Sequence, residues 1–444
     1  MTELPEEAYD VLVIGGGIAG MEAAIDLGDM GFKVALVEKE PTIGGKMLLL
    51  SKVFPTLDCA SCISGTKTST VSHHPNIRLL TYSEVAGIER VDSGFVARVT
   101  EKPRYVDASL CTSCGECEDA CPIIVPNEFD FGLRGRKAIY IPFDTAVPKN
   151  AVLDLDNCIY CMQCERVCPA DAINFLQVPK AHTLRVKAII LAVGFKLFQA
   201  EKKKDYHYGE YPNVLTSMQM DRVVAPTRPY NAVIRPSDGK EPQNVGYVLC
   251  TGSRDRTVGN PRCSQVCCMY SMKQAQLIMG SLPTADITLY YMDIRAYGKG
   301  FEEFYRQSRD MGVKFVRGKV GKIEQKPDSN LTVYYEDTEG SGGMRKADHD
   351  LMVLSVGLLP NTEVAGLFKN VKLDLDEIGW IRIMNETRSS VQTNIDGIFA
   401  AGCATGPKDI PDSVLEAGAA ASQCAAYIRG ASASITAHEV PAGI

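Results

Sequence analysis

Residues 111–122 read Cys111-Thr-Ser-Cys114-Gly-Glu-Cys117-Glu-Asp-Ala-Cys121-Pro122, and residues 158–169 read Cys158-Ile-Tyr-Cys161-Met-Gln-Cys164-Glu-Arg-Val-Cys168-Pro169. Both runs have the spacing C-x2-C-x2-C-x3-C-P. Three closely spaced thiolates on one loop can bind three corners of a metal–sulfur cube, while the fourth, displaced along the chain, can reach a neighbouring cube. The proline after each fourth cysteine fixes φ where the chain leaves the loop. The pattern therefore predicts two metal clusters in one compact segment.

This double motif is the bacterial ferredoxin pattern, in which each run gives its fourth cysteine to the other [4Fe–4S] cluster. The alternatives are two zinc knuckles or structural disulfides, but zinc sites favour paired C-x2-C with histidine. Two clusters this close together predict the transfer of single electrons. We expect one cluster on Cys111, Cys114, Cys117 and Cys168, and the other on Cys158, Cys161, Cys164 and Cys121.

Composition limits the class of protein. With 444 residues, the chain is long enough for two or three domains. Its net charge of −7 argues against a nucleic-acid partner. It has no apolar run of 18 residues and no N-terminal signal sequence, so we expect no membrane insertion and a cytoplasmic or other reducing location. Sixteen cysteines in such a compartment indicate metal ligands or redox groups.

The N-terminal 40 residues have the pattern of a βαβ dinucleotide-binding unit, with a helix expected from Met21 to Met30. The first glycine of G-x-G-x-x-G permits a tight turn, the second lets a pyrophosphate approach the helix N-terminus, and the third lets helix and strand pack closely. An acidic residue at the end of the second strand can accept hydrogen bonds from a ribose. The alternative is a glycine-rich turn without a ligand. These residues are Gly15, Gly17, Gly20 and Glu38.

Three further segments favour FAD over NAD at this site. Gly44-Gly45-Lys46 resembles the second glycine pair of flavoproteins with two dinucleotide-binding domains. Lys187–Gly194 is an apolar strand ending in glycine, and the segment from Gly397 to Gly402 resembles the one that covers the flavin ribityl chain. Cys403 stands where thioredoxin-reductase-like enzymes usually have Asp, so one ribityl contact must differ. We expect Gly45, Lys46 and Gly402 to bind the cofactor.

A second nucleotide-binding unit is predicted to begin at residues 244–251, but no glycine loop follows this strand. Four cysteines take its place, so we expect no ordinary NAD(P)H site here. Adjacent cysteines cannot both point into one core from one helix face, which favours a third cluster with non-standard spacing. The alternative is inert buried cysteines with a redox-active thiol pair. The four are Cys250, Cys263, Cys267 and Cys268.

Two smaller features carry open alternatives. Lys273 follows the last of these cysteines by more than one helical turn, and near a flavin it could stabilise the reduced form; otherwise it is an exposed helix lysine. Cys59-Ala-Ser-Cys62 could be a redox disulfide near the flavin, could supply extra ligands to the third site, or could be two packed thiols.

The order of these motifs predicts an α/β fold with three parts. Residues 1–100, 181–225 and 350–444 are expected to form the FAD-binding domain, with the strand after Asp350 returning to it. Residues 101–180 form an inserted ferredoxin domain, and residues 226–349 a vestigial nucleotide-binding domain with the third cluster. The segment Asp221–Lys240 resembles a hinge, and Asp412 is the expected N-cap of the last helix.

Nearly the whole chain resembles the A-type subunits of heterodisulfide reductase and their relatives, which include the A-type subunit of the quinone-interacting membrane-bound oxidoreductase. The segments that carry the resemblance are GGGIAG, IGGKMLLLSKVFPTLDCASCI, the double cysteine motif, LCTGSRD, CSQVCCMYSMKQA and GIFAAGCATGPKDIPDSVLEAGAAA. The resemblance implies a thioredoxin-reductase-like fold, bound FAD, a flavin-proximal cluster at Cys250–Cys268 and a flavin-tuning role for Lys273. It also implies work inside soluble or membrane-attached complexes, with electron bifurcation at the flavin in methanogen members.

These features predict an oxidoreductase subunit that converts two-electron to one-electron transfer at FAD. One alternative is a non-bifurcating relay or scaffold subunit of a quinone-linked complex, and another is an NAD(P)H-dependent reductase akin to the small subunit of glutamate synthase. The expected partners are B- and C-type subunits and an electron-input subunit, with any membrane attachment through them. Methanogen members carry an additional N-terminal domain and a C-terminal ferredoxin module, so an electron entrance or exit is expected either to be missing here or to be supplied by another subunit.

Overall fold

The computed structural model describes residues 6–339, 342–385, 387 and 389–430. The strands, in chain order, are β1 Glu6–Ala8, β2 Val11–Ile14, β3 Val34–Val37, β4 Ile77–Leu80, β5 Ser83–Val91, β6 Gly94–Glu101, β7 Ile124–Pro126, β8 Gly135–Lys137, β9 Ile139–Tyr140, β10 Val152–Leu153, β11 Lys180–Val186, β12 Ala188–Leu191, β13 Phe195–Leu197, β14 Val214–Thr216, β15 Asn244–Thr251, β16 Asp286–Tyr291, β17 Lys314–Gln325, β18 Leu331–Asp337, β19 Met344–His349, β20 Leu351–Val356, β21 Leu358–Pro360 and β22 Ile398–Ala400.

The helices follow the same order, and short 3-10 turns such as Gly45–Leu49 connect several elements. They are α1 Ile18–Asp29, α2 Ala60–His73, α3 Glu116–Ala120, α4 Gln163–Val167, α5 Ser217–Val223, α6 Cys267–Ser281, α7 Phe301–Asp310 and α8 Ile410–Ile428. The predicted α/β fold is confirmed.

The first sheet is parallel, with the order β22-β12-β2-β3-β4. Strands β2, β3 and β12 are buried along their whole length, as expected for apolar strands covered on both faces. One face packs on α1 and α8 through small residues such as Ala24 and Ala421. The other face packs on a four-stranded sheet, β1-β11-β6-β5. This layered unit brings the glycine loop after β2 to the carboxyl edge of the sheet.

The segment with the two cysteine motifs is inserted between the ends of two paired strands of this unit. In the antiparallel pair of β6 and β11, Glu101 lies opposite Lys180, so the chain departs and returns at one point. The segment between them contains α3, α4 and two small sheets, β7-β8 and β9-β10. Its own core includes Val106, Ile139 and Leu153 together with several cysteines. An insertion at paired strand ends leaves the parent sheet unbroken.

The second sheet has the order β14-β20-β15-β16-β17-β18-β19. Strands β14 to β17 pair in parallel, and β17, β18 and β19 pair antiparallel. We expected the strand after Asp350 to rejoin the first sheet, and this was wrong: β20 lies between β14 and β15. Its buried apolar faces suit a central position in either sheet, so the sequence did not distinguish between them.

Two boundaries also differ from the sequence-based expectation. Helix α1 begins at Ile18 rather than Met21, directly after the glycine loop. Helix α8 begins at Ile410, and its N-cap is Asp409, whose carboxylate accepts a hydrogen bond from the Asp412 backbone at 2.9 Å. Proline follows at the start of the helix, where its missing N–H is not needed. The true cap therefore lies one turn earlier than predicted.

Candidate flavin cleft and cysteine sites

The glycine loop has the geometry that a dinucleotide site requires. Gly15 has φ +107°, and a Cβ there would clash with the carbonyl oxygen of Ala192. A Cβ on Gly20 would clash with the carbonyl oxygen of Gly15, so the backbones of the helix and the turn are in direct contact. By contrast, a Cβ on Gly17 would meet no atom within 4 Å. The open space at Gly17 lies at the N-terminus of α1, where backbone N–H groups favour an anion such as a pyrophosphate.

This loop opens into a cleft of about 790 Å³. Its walls come from parts of the chain far apart in sequence. The residues that line it include Gly15, Gly17, Glu38, Gly45, Lys46, Asn127, Phe129, Phe131, Val266, Tyr270, Lys273, Cys403 and Ser413. A concave site of this size, lined by apolar and polar residues together, is typical of cofactor binding. The inserted cysteine segment and the segment carrying the four later cysteines therefore both border one cleft.

Glu38 follows β3, beside the glycine loop. One carboxylate oxygen accepts a hydrogen bond from the Gly16 backbone at 2.6 Å, and the other accepts one from the Glu40 backbone at 2.9 Å. Burial raises the pKa of Glu38, and the two backbone N–H groups oppose that rise. The carboxylate is thus fixed at the edge of the cleft, where its remaining lone pairs can accept from ribose hydroxyls.

The second glycine pair brings the side chain of Lys46 into the cleft. Gly44 and Gly45 both have positive φ, and a Cβ on Gly45 would lie 2.9 Å from the Cα of Gly17. The two glycine loops therefore touch each other. Burial lowers the pKa of Lys46, whose ammonium lies 5.0 Å from the ring centre of Phe195.

The C-terminal wall of the cleft carries Cys403 in place of the usual Asp. Gly402 has φ +65° and donates its backbone N–H to Glu416 at 3.0 Å. The Cys403 thiol donates to the carbonyl oxygen of Lys408 at 3.4 Å. Asp409 and Ser413, at the start of α8, also line the cleft, so this helix directs its positive end into it. The open glycine turn, the acidic strand end and two helix N-termini together fit a dinucleotide such as FAD.

Lys273 is not an exposed helix lysine. Its side chain is 1% exposed, it lines the cleft, and its ammonium lies 2.5 Å from a carboxylate oxygen of Asp221. The alternative of an exposed helix lysine is therefore wrong. Asp221 was expected at the start of a hinge, yet it lies buried in α5.

The four later cysteines come together at the end of β15 and the start of α6. Burial, followed by the charges of Cys268 and Cys263, raises the pKa of the Cys250 thiol to about 12. Burial, followed by the charge of Cys250, raises the pKa of Cys267 well above its usual range. Cys267 approaches the carbonyl oxygen of Val356, whereas Cys268 approaches that of Asp293. The adjacent thiols thus have different neighbours, although both are buried.

The eight cysteines of the double motif form two crossed sets. Burial raises the pKa of Cys117 to about 12, with further contributions from the charges of Cys111, Cys114, Cys164 and Cys168. Burial also raises the pKa of Cys164 to about 11, and its cysteine neighbours are Cys158, Cys121 and Cys161. One small cavity is lined by Cys111, Cys114, Cys117 and Cys168. Cys168 thus lies with the first three cysteines of the first run, and Cys121 approaches Cys164 of the second run.

These donor sets suit iron–sulfur clusters, because a cubane takes each of its four thiolates at a different iron. Thiols that raise each other's pKa need a strongly positive centre to become thiolates, which bound iron supplies.

Cys59 and Cys62 form a disulfide at the N-terminus of α2. The Cys59 sulfur accepts a hydrogen bond from the Cys62 backbone at 3.2 Å. The backbone of Cys59 also forms an isolated antiparallel β-bridge with Lys52, and Lys52 lines the flavin cleft. Neither cysteine lines the cleft itself.

Sequence reasoning missed Asp221 and its neighbour Arg222. The signal that could have found them is a capping box: the Thr216 side chain accepts from the Gln219 backbone, and Gln219 accepts from the Thr216 backbone. Thr-x-x-Gln before an apolar run predicts a helix start. The prolines that follow this helix predicted a hinge instead.

Three family models match parts of the chain. The model of FAD dependent oxidoreductases matches residues 10–57, that of pyridine nucleotide-disulphide oxidoreductases matches residues 285–433, and that of 4Fe-4S dicluster domains matches residues 110–173. These matches confirm an oxidoreductase with FAD and an iron–sulfur region. The pyridine-nucleotide match begins after the four later cysteines.

Curated relatives match along nearly the whole chain. The A-type iron-sulfur subunit of the CoB–CoM heterodisulfide reductase from Methanocaldococcus jannaschii is 47% identical over 95% of this chain and 65% of its own length. The A-type subunit of the H2:CoB-CoM heterodisulfide,ferredoxin reductase from Methanothermobacter marburgensis is 46% identical over 93% of this chain and 63% of its own length. Its counterpart in the H2/formate:CoB-CoM heterodisulfide,ferredoxin reductase from Methanococcus maripaludis is 46% identical over 96% of this chain and 66% of its own length. The chain thus spans just under two thirds of these relatives.

Solved structures agree on the fold. The thioredoxin reductases of T. acidophilum and Lactococcus lactis each have a TM-score of 0.53. They are 16% and 15% identical, cover 96% and 95% of this chain, and are themselves covered to 99%. The predicted thioredoxin-reductase-like fold is confirmed. Among the helices of the described residues, none is long and apolar enough to cross a membrane.

Proposed function

Because this chain is a homologue of the A-type subunits of heterodisulfide reductase, we propose that it is the flavin and iron–sulfur electron-transfer subunit of a heterodisulfide-reductase-like complex. Bound FAD supplies the interconversion of two-electron and one-electron transfer. The single observation that carries the proposal is that one cleft, with the features of a dinucleotide site, borders two separate groups of cysteines.

The chain's own residues bind and orient the cofactor. The N–H groups at the start of α1 hold the pyrophosphate, with Gly15, Gly17 and Gly20 allowing close approach. Glu38 accepts from a ribose, and Gly45 and Gly402 let their loops come near the ligand. The ammonium groups of Lys46 and Lys273 place positive charge in the cleft, which favours a reduced flavin carrying negative charge.

Three [4Fe–4S] clusters complete the proposed chain of cofactors. Two lie in the inserted segment with crossed ligation: one on Cys111, Cys114, Cys117 and Cys168, the other on Cys158, Cys161, Cys164 and Cys121. The third is bound by Cys250, Cys263, Cys267 and Cys268. The first two sets are supported by their crossed neighbours and the third by its four mutually close thiols.

The two borders of the cleft suggest where single electrons leave. Tyr270 lines the cleft, and its hydroxyl lies in contact with the Cys267 thiol. Phe129 and Phe131 line the cleft from the inserted segment. In the bifurcating form of this proposal, the two borders would hold clusters of different potential that each accept electrons. In a simple relay, only one border would do so.

We further propose that partner subunits supply the donor and the final acceptor. The names of the relatives include hydrogen, formate and ferredoxin. Since the shared chain is similar in all of them, the donor is set by an electron-input subunit, while B- and C-type subunits take electrons onward. The complex carries any membrane attachment.

Iron and flavin counts on the anaerobically purified chain test this proposal. About twelve irons for each FAD support three cubanes, and about eight remove the Cys250–Cys268 cluster. A protein that holds no flavin after reconstitution overturns the proposal. NADH alone should not bleach the flavin; if it does, the chain is a pyridine-nucleotide reductase instead. The flavin is then reduced by a flash, and its reoxidation is followed through the signals of the clusters. Reduction of two clusters of different potential supports bifurcation, and reduction of one cluster supports a relay.

A further inference from the structure

The carboxylate of Asp221 joins three segments that meet at the flavin cleft. One oxygen accepts from the Ser51 backbone at 3.1 Å, from the Ser51 hydroxyl at 2.6 Å and from the Lys273 ammonium at 2.5 Å. The other oxygen accepts from the Gln274 amide at 2.7 Å. Ser51 follows the second glycine loop, Asp221 lies in α5, and Lys273 lies in α6.

Almost no water reaches this pair. The side chains of Lys273 and Asp221 are 1% and 2% exposed, yet both residues line the cleft. Removing one partner of a buried ion pair leaves an uncompensated charge, which burial disfavours strongly. The Asp221 carboxylate therefore compensates the Lys273 ammonium next to the cofactor site.

We propose that Asp221 is the positioning residue that holds the Lys273 ammonium in place toward the flavin, and that it ties the flavin-binding loop at Ser51 to the same point. This inference rests on the proposed function, since it assumes FAD in the cleft. It adds a residue whose role neither the family motifs nor the glycine loops indicate. Asp221 acts through Lys273 and the loop rather than on the reacting atoms.

Two buried tyrosines lie in the region of the Lys273–Asp221 pair. Tyr247 of β15 is fully buried and close to Asp221, and burial, followed by the Asp221 charge, raises its pKa well above the usual range. Burial likewise raises the pKa of Tyr270, on the same helix as Lys273. Both tyrosines stay neutral near pH 7, so the Asp221 carboxylate is the counter-charge of this lysine.

The test is the midpoint potential of bound FAD, measured at pH 7 by spectroelectrochemistry. We expect Asp221→Asn to shift this potential, because the buried Lys273 ammonium loses its compensating carboxylate. The shift should be smaller in the Lys273→Met background, so that the two substitutions are not additive. Asp221→Glu should shift the potential less than Asp221→Asn, since the negative charge is kept. Asp348→Asn, which removes a carboxylate paired with Lys326 outside the cleft, is the matched control.

A second comparison does not depend on Asp221→Asn folding. Ser51→Ala removes one donor from the carboxylate and should shift the potential more when Lys273 is present than in Lys273→Met. Equal shifts in both backgrounds, or Asp221→Asn superimposing on wild type, would overturn the inference while leaving the bound flavin intact. If wild type binds no FAD, the proposed function fails, and this inference fails with it.

Discussion

Arg222 and Asp130 form an ion pair from which solvent is almost excluded. The Arg222 Nε atom lies 2.9 Å from a carboxylate oxygen of Asp130, and their side chains are 1% and 0% exposed. Arg222 belongs to α5, next to Asp221, whereas Asp130 belongs to the inserted cysteine segment. The guanidinium also lies 4.4 Å from the ring centre of Phe129, which lines the cleft. Adjacent residues of one short helix thus hold the flavin-facing lysine and the inserted segment.

Breaking this pair from one side should destabilise the protein strongly. We expect Asp130→Asn to lower the free energy of unfolding by about 3–5 kcal/mol, because it leaves the Arg222 charge buried and unpaired. Urea unfolding followed by circular dichroism measures the loss. Arg306→Ala, which breaks the exposed pair with Glu302, is the control and should cost less than about 1 kcal/mol. Similar losses in both variants would contradict this interpretation.

Two glycines of the first loop should separate folding from cofactor binding. Gly17→Ala places its Cβ in open space, so the apo protein should keep its Tm. The same methyl group projects into the cleft, and we expect the Kd for FAD to rise at least about tenfold, or about 1.4 kcal/mol. Gly15→Ala, which clashes with the Ala192 carbonyl, should lower the Tm as well. Differential scanning calorimetry and flavin titration check both; unchanged FAD affinity in Gly17→Ala would place the pyrophosphate elsewhere.

Crossed ligation of the two inserted clusters can be tested with double variants. Cys168→Ala combined with Cys111→Ala removes two ligands of the same proposed cluster, so the chain should lose about four irons. Cys168→Ala combined with Cys158→Ala removes one ligand from each cluster and should lose about eight. Iron analysis and EPR after anaerobic reconstitution measure the difference. The opposite order would mean that each run binds its own cluster.

His349 should make stability depend on pH. Burial lowers its pKa to about 4, and its ring nitrogens contact the Tyr290 hydroxyl at 2.9 Å and the Asn244 amide oxygen at 2.8 Å. The unfolded chain takes up a proton near pH 6.5 while the folded one does not, so the stabilisation is present above that pH and is lost as pH falls toward 4.

Through His349, the free energy of unfolding should fall by about 2 kcal/mol between pH 7 and pH 5. Urea unfolding at the two pH values, compared with His349→Gln, isolates this contribution. The variant should lose correspondingly less stability over the same interval. A wild type and variant with the same pH dependence would show that His349 is protonated in the folded state.

The sequence predicted the motifs whose residues lie close together along the chain. The glycine loop, the second glycine pair and the cysteine runs are such motifs, and the spacing of their residues largely fixes their local geometry. The insertion was also accessible, since two cluster motifs interrupt a recognisable flavoprotein pattern. The order of strands in the second sheet was not, because β20 is apolar on both faces and fits more than one neighbour.

By itself, the sequence determined which chemistry this protein can support: a dinucleotide loop, thiols grouped for clusters, and a family resemblance that the relatives confirm. Only the tertiary structure decided which charges meet. Asp221 reaches Ser51 and Lys273, and Arg222 reaches Asp130, across separations of 52 to 170 residues. Such pairs depend on how α5, α6 and the inserted segment pack, and no local spacing encodes that packing.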